Sequence, residues 1–287
     1  MKDIKLNIGA SPIWKKEGWF VLDHKLKEAT EFGIPGDMAE MDLPDESCQV
    51  VFCSHVFEHI PHVKLPIVLS EINRVLKKDG ILRILTPDLE KAARAYVNRD
   101  QEFFKKARQE DQSLRTDLGY GGTLMNFVVS PGQDTVLLNR DMTQFIAGYA
   151  HLYNYDLEMM SILMSKLGFH SIHRSPFSGS EMEEMREPLH VLGMPAVYED
   201  LNDSFYAKHG LTHKLVDGKY VIDFQLTGFD RDPTTSLIVE CKKEKWVSKE
   251  DAYRIFNDST ENYNRYAKSL LRDPKVVSRL NELGIHH

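Results

Sequence analysis

Val50-Val51-Phe52-Cys53-Ser54 and Gly80-Ile81-Leu82-Arg83-Ile84-Leu85-Thr86 are two short, almost wholly apolar runs. Between them, residues 64–77 place Leu65, Val68, Leu69, Ile72, Val75 and Leu76 at helical spacing. Continuous apolar runs of this length read as strands buried on both faces. Lys77-Lys78-Asp79-Gly80 supplies the cationic last turn and the terminating glycine expected at a helix end. A strand, a crossover helix and a strand make one βαβ unit. That unit decides the fold class: an α/β chain with a mostly parallel sheet and helices on both faces.

Outward from this unit the pattern continues. Toward the N-terminus, residues 4–9 and 19–23 are two more short apolar runs, closing on Gly9 and Asp23. Toward the C-terminus, residues 88–112 read as a helix with Asp88 as N-cap, and residues 156–167 as another, capped by Asp156 and ended by Gly168. Strands follow at Phe169 to Arg174 and at Ser236 to Cys241. Residues 119–150 lose a clear period and read as a long loop with a little structure of its own, and loops of that length inside compact domains are usually functional or mobile. Residues 176–234 read as an insertion between two sheet strands, with a hairpin formed by Thr212–Val216 and Tyr220–Leu226 around Asp217-Gly218. Ser248-x-x-Asp251 opens a polar helical stretch that runs to Leu283. The expected organisation is one domain over 1–247, holding an active-site loop region at 119–150 and the insertion at 176–234, then a helical C-terminal extension at 248–287.

Bulk properties limit the function. At 287 residues, 42% hydrophobic and 28% charged, the chain suits one substantial core. A net charge of −7 gives no general electrostatic reason to approach a polyanion, so nucleic acid is not the expected partner. The N-terminus lacks an apolar signal region, and no segment has the roughly 18 apolar residues of a membrane span, so a cytoplasmic protein is expected. Cys48, Cys53 and Cys241 cannot all pair within the chain and show no C-x-x-C spacing, which points to reduced thiols. A homo-oligomer is left open.

The chemistry gathers at the strand ends. Leu6-Asn7-Ile8-Gly9-Ala10 puts a glycine where the backbone turns sharply and a ligand can come close. Taken alone, a glycine turn after a strand says little. Asp23, at the end of the second run, adds a carboxylate suited to the two hydroxyls of a ribose, although an aspartate there can equally cap a loop. Next come Gly36-Asp37-Met38, then Leu43-Pro44-Asp45-Glu46-Ser47, the strand at 50–54, and His55-Val56-Phe57-Glu58-His59. Farther on is Glu71-Ile72-Asn73-Arg74-Val75-Leu76-Lys77-Lys78-Asp79-Gly80.

In this order, over residues 4–88, these blocks resemble the class I S-adenosylmethionine-dependent methyltransferases of the methyltransferase type 11 kind. The resemblance implies a Rossmann-like seven-stranded sheet and S-adenosylmethionine as cofactor. It implies cofactor contacts at Asn7, Gly9 and Ala10 (methionine part), Asp23 (ribose), Asp37 and Met38 (adenine), and Ser54 and His55 along the inner side. Ala10 and Ser11 depart from the family's more glycine-rich turn, and Asp42 stands where proline is common. A looser similarity, carried by Tyr120-Gly121-Gly122 and His151-Leu152-Tyr153-Asn154-Tyr155-Asp156, is to a branch associated with surface polysaccharide and glycan synthesis. It implies a hydroxyl acceptor on a sugar, nucleotide-sugar or glycan precursor. An amine, phosphate-linked or carboxylate acceptor is the alternative, as is a cofactor-binding protein without turnover.

A hydroxyl nucleophile benefits from a base, and neutral histidine suits that work near pH 7. His151 is the first candidate and His59 the second, although either can serve as a plain hydrogen-bonding residue. Tyr120, Gly121, Tyr153 and Tyr155 are the candidate acceptor contacts, and the aromatic residues of 119–155, Phe127, Phe145 and Tyr149 among them, the candidate pocket lining. His55-Val56-Phe57-Glu58-His59 also satisfies the zinc-peptidase spacing H-x-x-E-H, but Pro61 cuts the required helix short, so no metal site is expected.

Overall fold

In the computed structural model the two deciding runs lie in neighbouring parallel strands, β4 (Cys48–Ser54) and β5 (Leu76–Pro87), joined through α1 (Leu65–Val75). The structure describes residues 3–10, 14–24, 26–110, 118–129, 151–192, 214–216, 219–221, 225–256, 265–266, 268–269 and 271–282. On one side of β4 stand β1 (Ile4–Ile8), β2 (Trp19–Asp23) and β3 (Gly33–Pro35), all parallel to it. On the far side of β5, β11 (Ser236–Lys243) runs antiparallel to both β5 and the edge strand β6 (Phe169–Arg174). The order is β3-β2-β1-β4-β5-β11-β6, the mostly parallel seven-stranded sheet that the resemblance implies, with β3 a strand the sequence patterns did not show.

Alternation along each strand divides the core in two. One face of the sheet presents Leu6, Ile8, Leu22, Val51, Cys53, Leu82, Ile84, Leu237 and Val239. It is covered by α1, by α5 (Leu157–Lys166) and by Ala252 of α6 (Lys249–Phe256). α1 buries Leu65, Val68, Leu69, Ile72 and Val75, and each such side chain is worth roughly 1.5–3 kcal/mol of apolar burial. Its stripe forms because those residues recur every three or four positions, with Pro66 in the first turn, where its missing N–H costs nothing.

The opposite face presents Trp19, Val21, Val50, Phe52, Leu85 and Ile238. Among the described residues the connection from β1 to β2 contains no helix, and this face is roofed by Trp14, Met185 and Phe229. Phe229 packs at 4.7 Å from Trp19 and edge-on at 5.0 Å from Phe52, while the Trp14 indole N–H donates to the Gly228 carbonyl at 2.8 Å. Met185 and Phe229 come from the two ends of the long segment between β6 and β11. Here Arg83 is wholly buried. Its guanidinium donates to Asp230 Oδ1 at 2.9 Å, to Glu240 Oε2 at 2.8 Å and to Ser175 Oγ at 2.8 Å. Asp230 also accepts the Ser178 N–H, and Glu240 the Glu181 N–H, both at 2.8 Å. The two carboxylates and the cation therefore satisfy one another and fasten the segment ends to the sheet.

Local boundaries differ from the sequence expectations in four places. α1 ends at Val75, and Leu76 is already extended; the Lys77–Gly80 stretch instead absorbs the register shift between the Cys48–Leu76 and Val50–Ile81 pairs, with Asp79 at φ 60°. The helix expected over 88–112 is two helices, α2 (Leu89–Asn98) and α3 (Gln101–Glu110), separated where Arg99 turns left-handed at φ 54° and the Asp100 carboxylate caps the Phe103 N–H. The expected loop at 119–150 begins as a helix, α4 (Gly119–Val128), because Phe127 is buried against Ala92 and Ala107. Tertiary packing there outweighs the roughly 1 kcal/mol that each glycine costs a helix. Residues 130–150 lie outside the described residues, Phe145 and Tyr149 with them.

The fourth difference concerns the hairpin. It pairs β8 (Lys214–Val216) with β9 (Lys219–Val221), and the chain then leaves it for β10 (Gln225–Thr227), which pairs antiparallel with β7 (His190–Leu192). The C-terminal stretch includes α7 (Pro274–Glu282). Cys48, Cys53 and Cys241 are buried free thiols, and burial pushes Cys48 up to about 11. Among the described residues no helix is long and apolar enough to cross a membrane.

Candidate functional site

The parallel strands β1, β2 and β3 end together, and their tips frame a cavity of about 390 Å³. Gly9 closes β1 in a left-handed turn at φ +73°, and a β-carbon there would stand 2.7 Å from Val56 Cγ2. Both the turn and the approach of Val56 thus require glycine. Gly9 N–H donates to the Leu22 carbonyl at 2.9 Å, which fixes the β1 tip beside the β2 tip. Asp23 follows at the end of β2, nearly buried. The wall opposite is a turn in which Asp37 Oδ1 accepts the Ala39 N–H at 2.8 Å, with Asp37, Met38 and Ala39 all on the lining. Ile60, Pro61, Lys64 and Val68 complete the lining, with Ile8 and Leu22 behind.

Of the residues expected at a cofactor, Gly9, Asp23, Asp37 and Met38 line this cavity, and so does His59. Asn7, Ala10, Ser54 and His55 do not. Asn7 is buried, and its Oδ1 has no hydrogen-bond partner; Ser54 Oγ is likewise buried and unpartnered, one residue beyond the Ile8–Cys53 pair. Ala10 packs at the edge of the Trp14–Phe229 cluster. His55 sits in a left-handed conformation at φ 52° and turns its ring away, Nδ1 to Glu58 Oε1 at 3.0 Å and Nε2 to Ser236 Oγ at 2.9 Å. Positive φ in a non-glycine residue is strained, and such strain gathers at functional sites.

Beside the cavity lies a cluster that the sequence reading valued too little. Glu58, in the 3-10 turn Phe57–His59, is fully buried, and its carboxylate faces three imidazoles. Burial by itself would raise its pKa, but the hydrogen bond from His55 and the neighbouring His59 and His151 outweigh that and leave it lowered to about 2. His59 Nε2 is 4.0 Å from Glu58 Oε1, and the His59 and His151 rings meet edge-on at 5.1 Å. His151 donates its Nδ1–H to the Phe127 carbonyl at 3.2 Å, since a carbonyl can only accept. That tautomer carries its lone pair on Nε2. Burial holds the His151 pKa below the usual histidine value, which favours the neutral ring.

Main-chain bonds bring the two segments together: Leu152 and Tyr153 donate their N–H groups to the Glu58 carbonyl, at 2.6 and 3.3 Å. The expected acceptor contacts separate. Tyr153 is partly exposed and stacks on His62 at 4.1 Å. Tyr155 belongs to the core, and burial pushes its phenol pKa up. Tyr120 and Gly121 sit on α4, where Tyr120 packs against Phe104 and beneath Arg99, so the structure does not bring them to the cavity. Sequence reasoning missed Glu58 as the hub, and missed Ile60, Lys64 and Val68 as lining. The signal for Glu58 was present as an acid flanked by histidines, but its function depended on His151, far away in the chain.

The cavity fits S-adenosylmethionine: its volume suits a ligand of that size, a carboxylate stands at the β2 tip, and buried unpartnered oxygens of Asn7 and Ser54 flank the β1 turn. Residues 21–84, from β2 into β5, match the family model described as a methyltransferase domain. That match supports the class I methyltransferase family. Among solved structures, a putative methyltransferase from Bacillus halodurans C-125 is 14% identical over 85% of this chain and 94% of that one, with a TM-score of 0.37. A SAM-dependent methyltransferase from Archaeoglobus fulgidus is 16% identical over 84% and 86%, with a TM-score of 0.38. Phosphoethanolamine N-methyltransferase 2 of Haemonchus contortus, in complex with S-adenosyl-L-methionine, is 13% identical over 85% and 49%, with a TM-score of 0.37. No curated protein matches the chain. These likenesses are distant, and the fold rests on the chain's own strand order. The domain match over residues 21–84, that order and the cavity at the strand tips converge on a Rossmann-like fold that carries a methyltransferase domain.

Proposed function

We propose that the chain methylates a hydroxyl of a small acceptor, in the class of sugars, nucleotide-sugars and glycan precursors, and that the acceptor enters beside His59 and His151. The observation that carries this reading is the pair of histidines gathered on a buried carboxylate at the rim of the cavity. The sugar class is favoured by the similarity carried by residues 120–122 and 151–156.

In this reading Asp23 receives the ribose hydroxyls, Asp37 and the Met38 backbone hold the adenine, and Gly9 lets the methionine part approach the β1 tip. The cofactor supplies a methyl group already activated by its sulfonium. The chain's task is then placement, and aligning two reactants can lower a barrier by roughly 7–11 kcal/mol. His151 Nε2 would take the proton of the acceptor hydroxyl at the cavity rim, the Phe127 carbonyl keeping the ring in the tautomer that leaves this nitrogen free to accept. Glu58 holds the proton-accepting imidazole in place and stabilises its charged form.

The test is calorimetry of the full chain with S-adenosylmethionine, followed by methyl transfer over a panel of sugars, nucleotide-sugars, amines and phosphate esters. Binding with turnover on hydroxyl acceptors is expected, and His151→Ala should spare cofactor affinity while lowering the rate roughly 100-fold, as loss of a general base does. Turnover confined to amines would overturn the acceptor class. An unchanged rate in His151→Ala would remove that histidine from proton transfer.

A further inference from the structure

We propose that Glu58, His59 and His151 form a binding site for one divalent first-row transition metal ion, opening onto the cofactor cavity. The inference rests on the reading that the acceptor enters beside His59. One ligand atom from each of the three residues lies within 4.8 Å of the others. Bonds of about 2.0–2.2 Å from one ion to imidazole nitrogen and carboxylate oxygen need donor atoms roughly 3–3.5 Å apart. Closing the cluster therefore takes about 1 Å of side-chain movement, with the backbone already held by the bonds from Leu152 and Tyr153 to the Glu58 carbonyl.

The groups behind the three donors are oriented as metal ligands require. His151 gives its Nδ1–H to the Phe127 carbonyl, which fixes the ring and places the lone pair on Nε2, the arrangement that commonly supports a ligating histidine. The Glu58 carboxylate is steadied by His55 Nδ1 at 3.0 Å and by the Thr86 hydroxyl at 3.4 Å. His55 is in turn held by Ser236, so it belongs to the supporting layer and not to the donor set. The spacing H-x-x-E-H had suggested His55 and His59 as the paired ligands. The fold substitutes His151 for His55.

Electrostatics favours a cation at this point. A fully buried carboxylate is costly without a compensating positive charge, and an ion among Glu58, His59 and His151 supplies one. Two imidazoles and one carboxylate select zinc, iron, cobalt or manganese over magnesium and calcium, which prefer oxygen alone. Three protein donors leave a coordination position, and His59 lies on the cavity wall, so that position faces the place proposed for the acceptor. With the His151 Nε2 lone pair given to the ion, that ring no longer acts as the base; the ion would instead lower the pKa of an acceptor hydroxyl, whose proton leaves to solvent.

Titration of the metal-stripped full chain with Co²⁺, followed by its visible d–d absorption, tests the site without cofactor or activity, and calorimetry with Zn²⁺ gives the affinity. One ion per chain is expected. His59→Ala and His151→Ala should each weaken binding about tenfold or more, in line with losses seen on disturbing metal-site residues. His170→Ala, at an exposed histidine on β6, should leave it unchanged. No stoichiometric binding, or binding insensitive to His59→Ala and His151→Ala, overturns the inference. A parallel titration with S-adenosylmethionine keeps the two readings apart: cofactor binding without metal binding defeats this site alone, and metal binding without cofactor binding defeats the methyltransferase reading.

Discussion

The two faces of the central sheet are roofed by different means. On one, α1 and α5 lay periodic apolar stripes over Leu6, Ile8, Val51 and Leu82, and every large contribution comes from a helix that announces itself in local spacing. On the other, Trp14, Met185 and Phe229 form a roof without a crossover helix among the described residues, and a buried Arg83–Asp230–Glu240 group fastens it. The first face is stabilised by many apolar side chains of comparable weight, spread along the helices. The second depends on a few contacts between residues far apart in the chain, where the loss of one partner exposes the others.

The sharpest way to break this contrast is Arg83→Met. It leaves Asp230 and Glu240 buried without their cation, and breaking a buried pair from one side costs about 3–5 kcal/mol. Urea unfolding should show a loss of that size, and a loss under 1 kcal/mol would mean that the roof does not depend on the group. On the helical face, Leu69→Ala should cost about 2–4 kcal/mol as a cavity-forming change. The two lie on opposite sides of the sheet, so the double variant should equal the sum of the singles within about 0.5 kcal/mol, and strong coupling would show that the faces do not act independently.

Asp23→Ala addresses the tips that both faces share. Loss of charge-assisted hydrogen bonds worth about 1.5–3 kcal/mol should weaken S-adenosylmethionine binding roughly 10- to 150-fold in calorimetry, with folding little changed. The smallest effect concerns pH. Glu71, on α1, accepts from Arg74, the Met41 N–H and Lys249; burial opposes these bonds, yet they leave its pKa lowered. A depressed carboxylate contributes stability that is present above its unfolded pKa and fades as pH falls through the folded one. Glu71→Gln should therefore flatten the acid limb of the stability curve below about pH 4.5 and leave the neutral region sloping as before. An unchanged acid limb would show that the group does not contribute there.

The same contrast explains what could be read in advance. Strands 4–9, 19–23, 50–54 and 80–86 and helix α1 follow from short-range patterns; Gly9 and Asp23 could be placed because each ends a strand, and Asp37 and Met38 through the family resemblance. Phe229 over Trp19, and Asp230 beneath Arg83, are pairings across about half the chain or more, for which periodicity carries no signal. The helix α4 was hidden because Tyr120-Gly121-Gly122 has turn composition, and only the packing of Phe127 against α2 and α3 reveals why it winds. His59 and His151 were each visible as candidates, and the histidines flanking Glu58 stood in the sequence, but the meeting of Glu58 with His151 spans about a third of the chain and leaves no local pattern.

Glu58 meets residues 151–155 in two independent ways, by its side chain through His151 and by its carbonyl through Leu152 and Tyr153. The carbonyl is present whatever side chain the position carries. Saturation mutagenesis at 58 can therefore change the group that faces His55, His59 and His151 while the main-chain bonds to Leu152 and Tyr153 remain available.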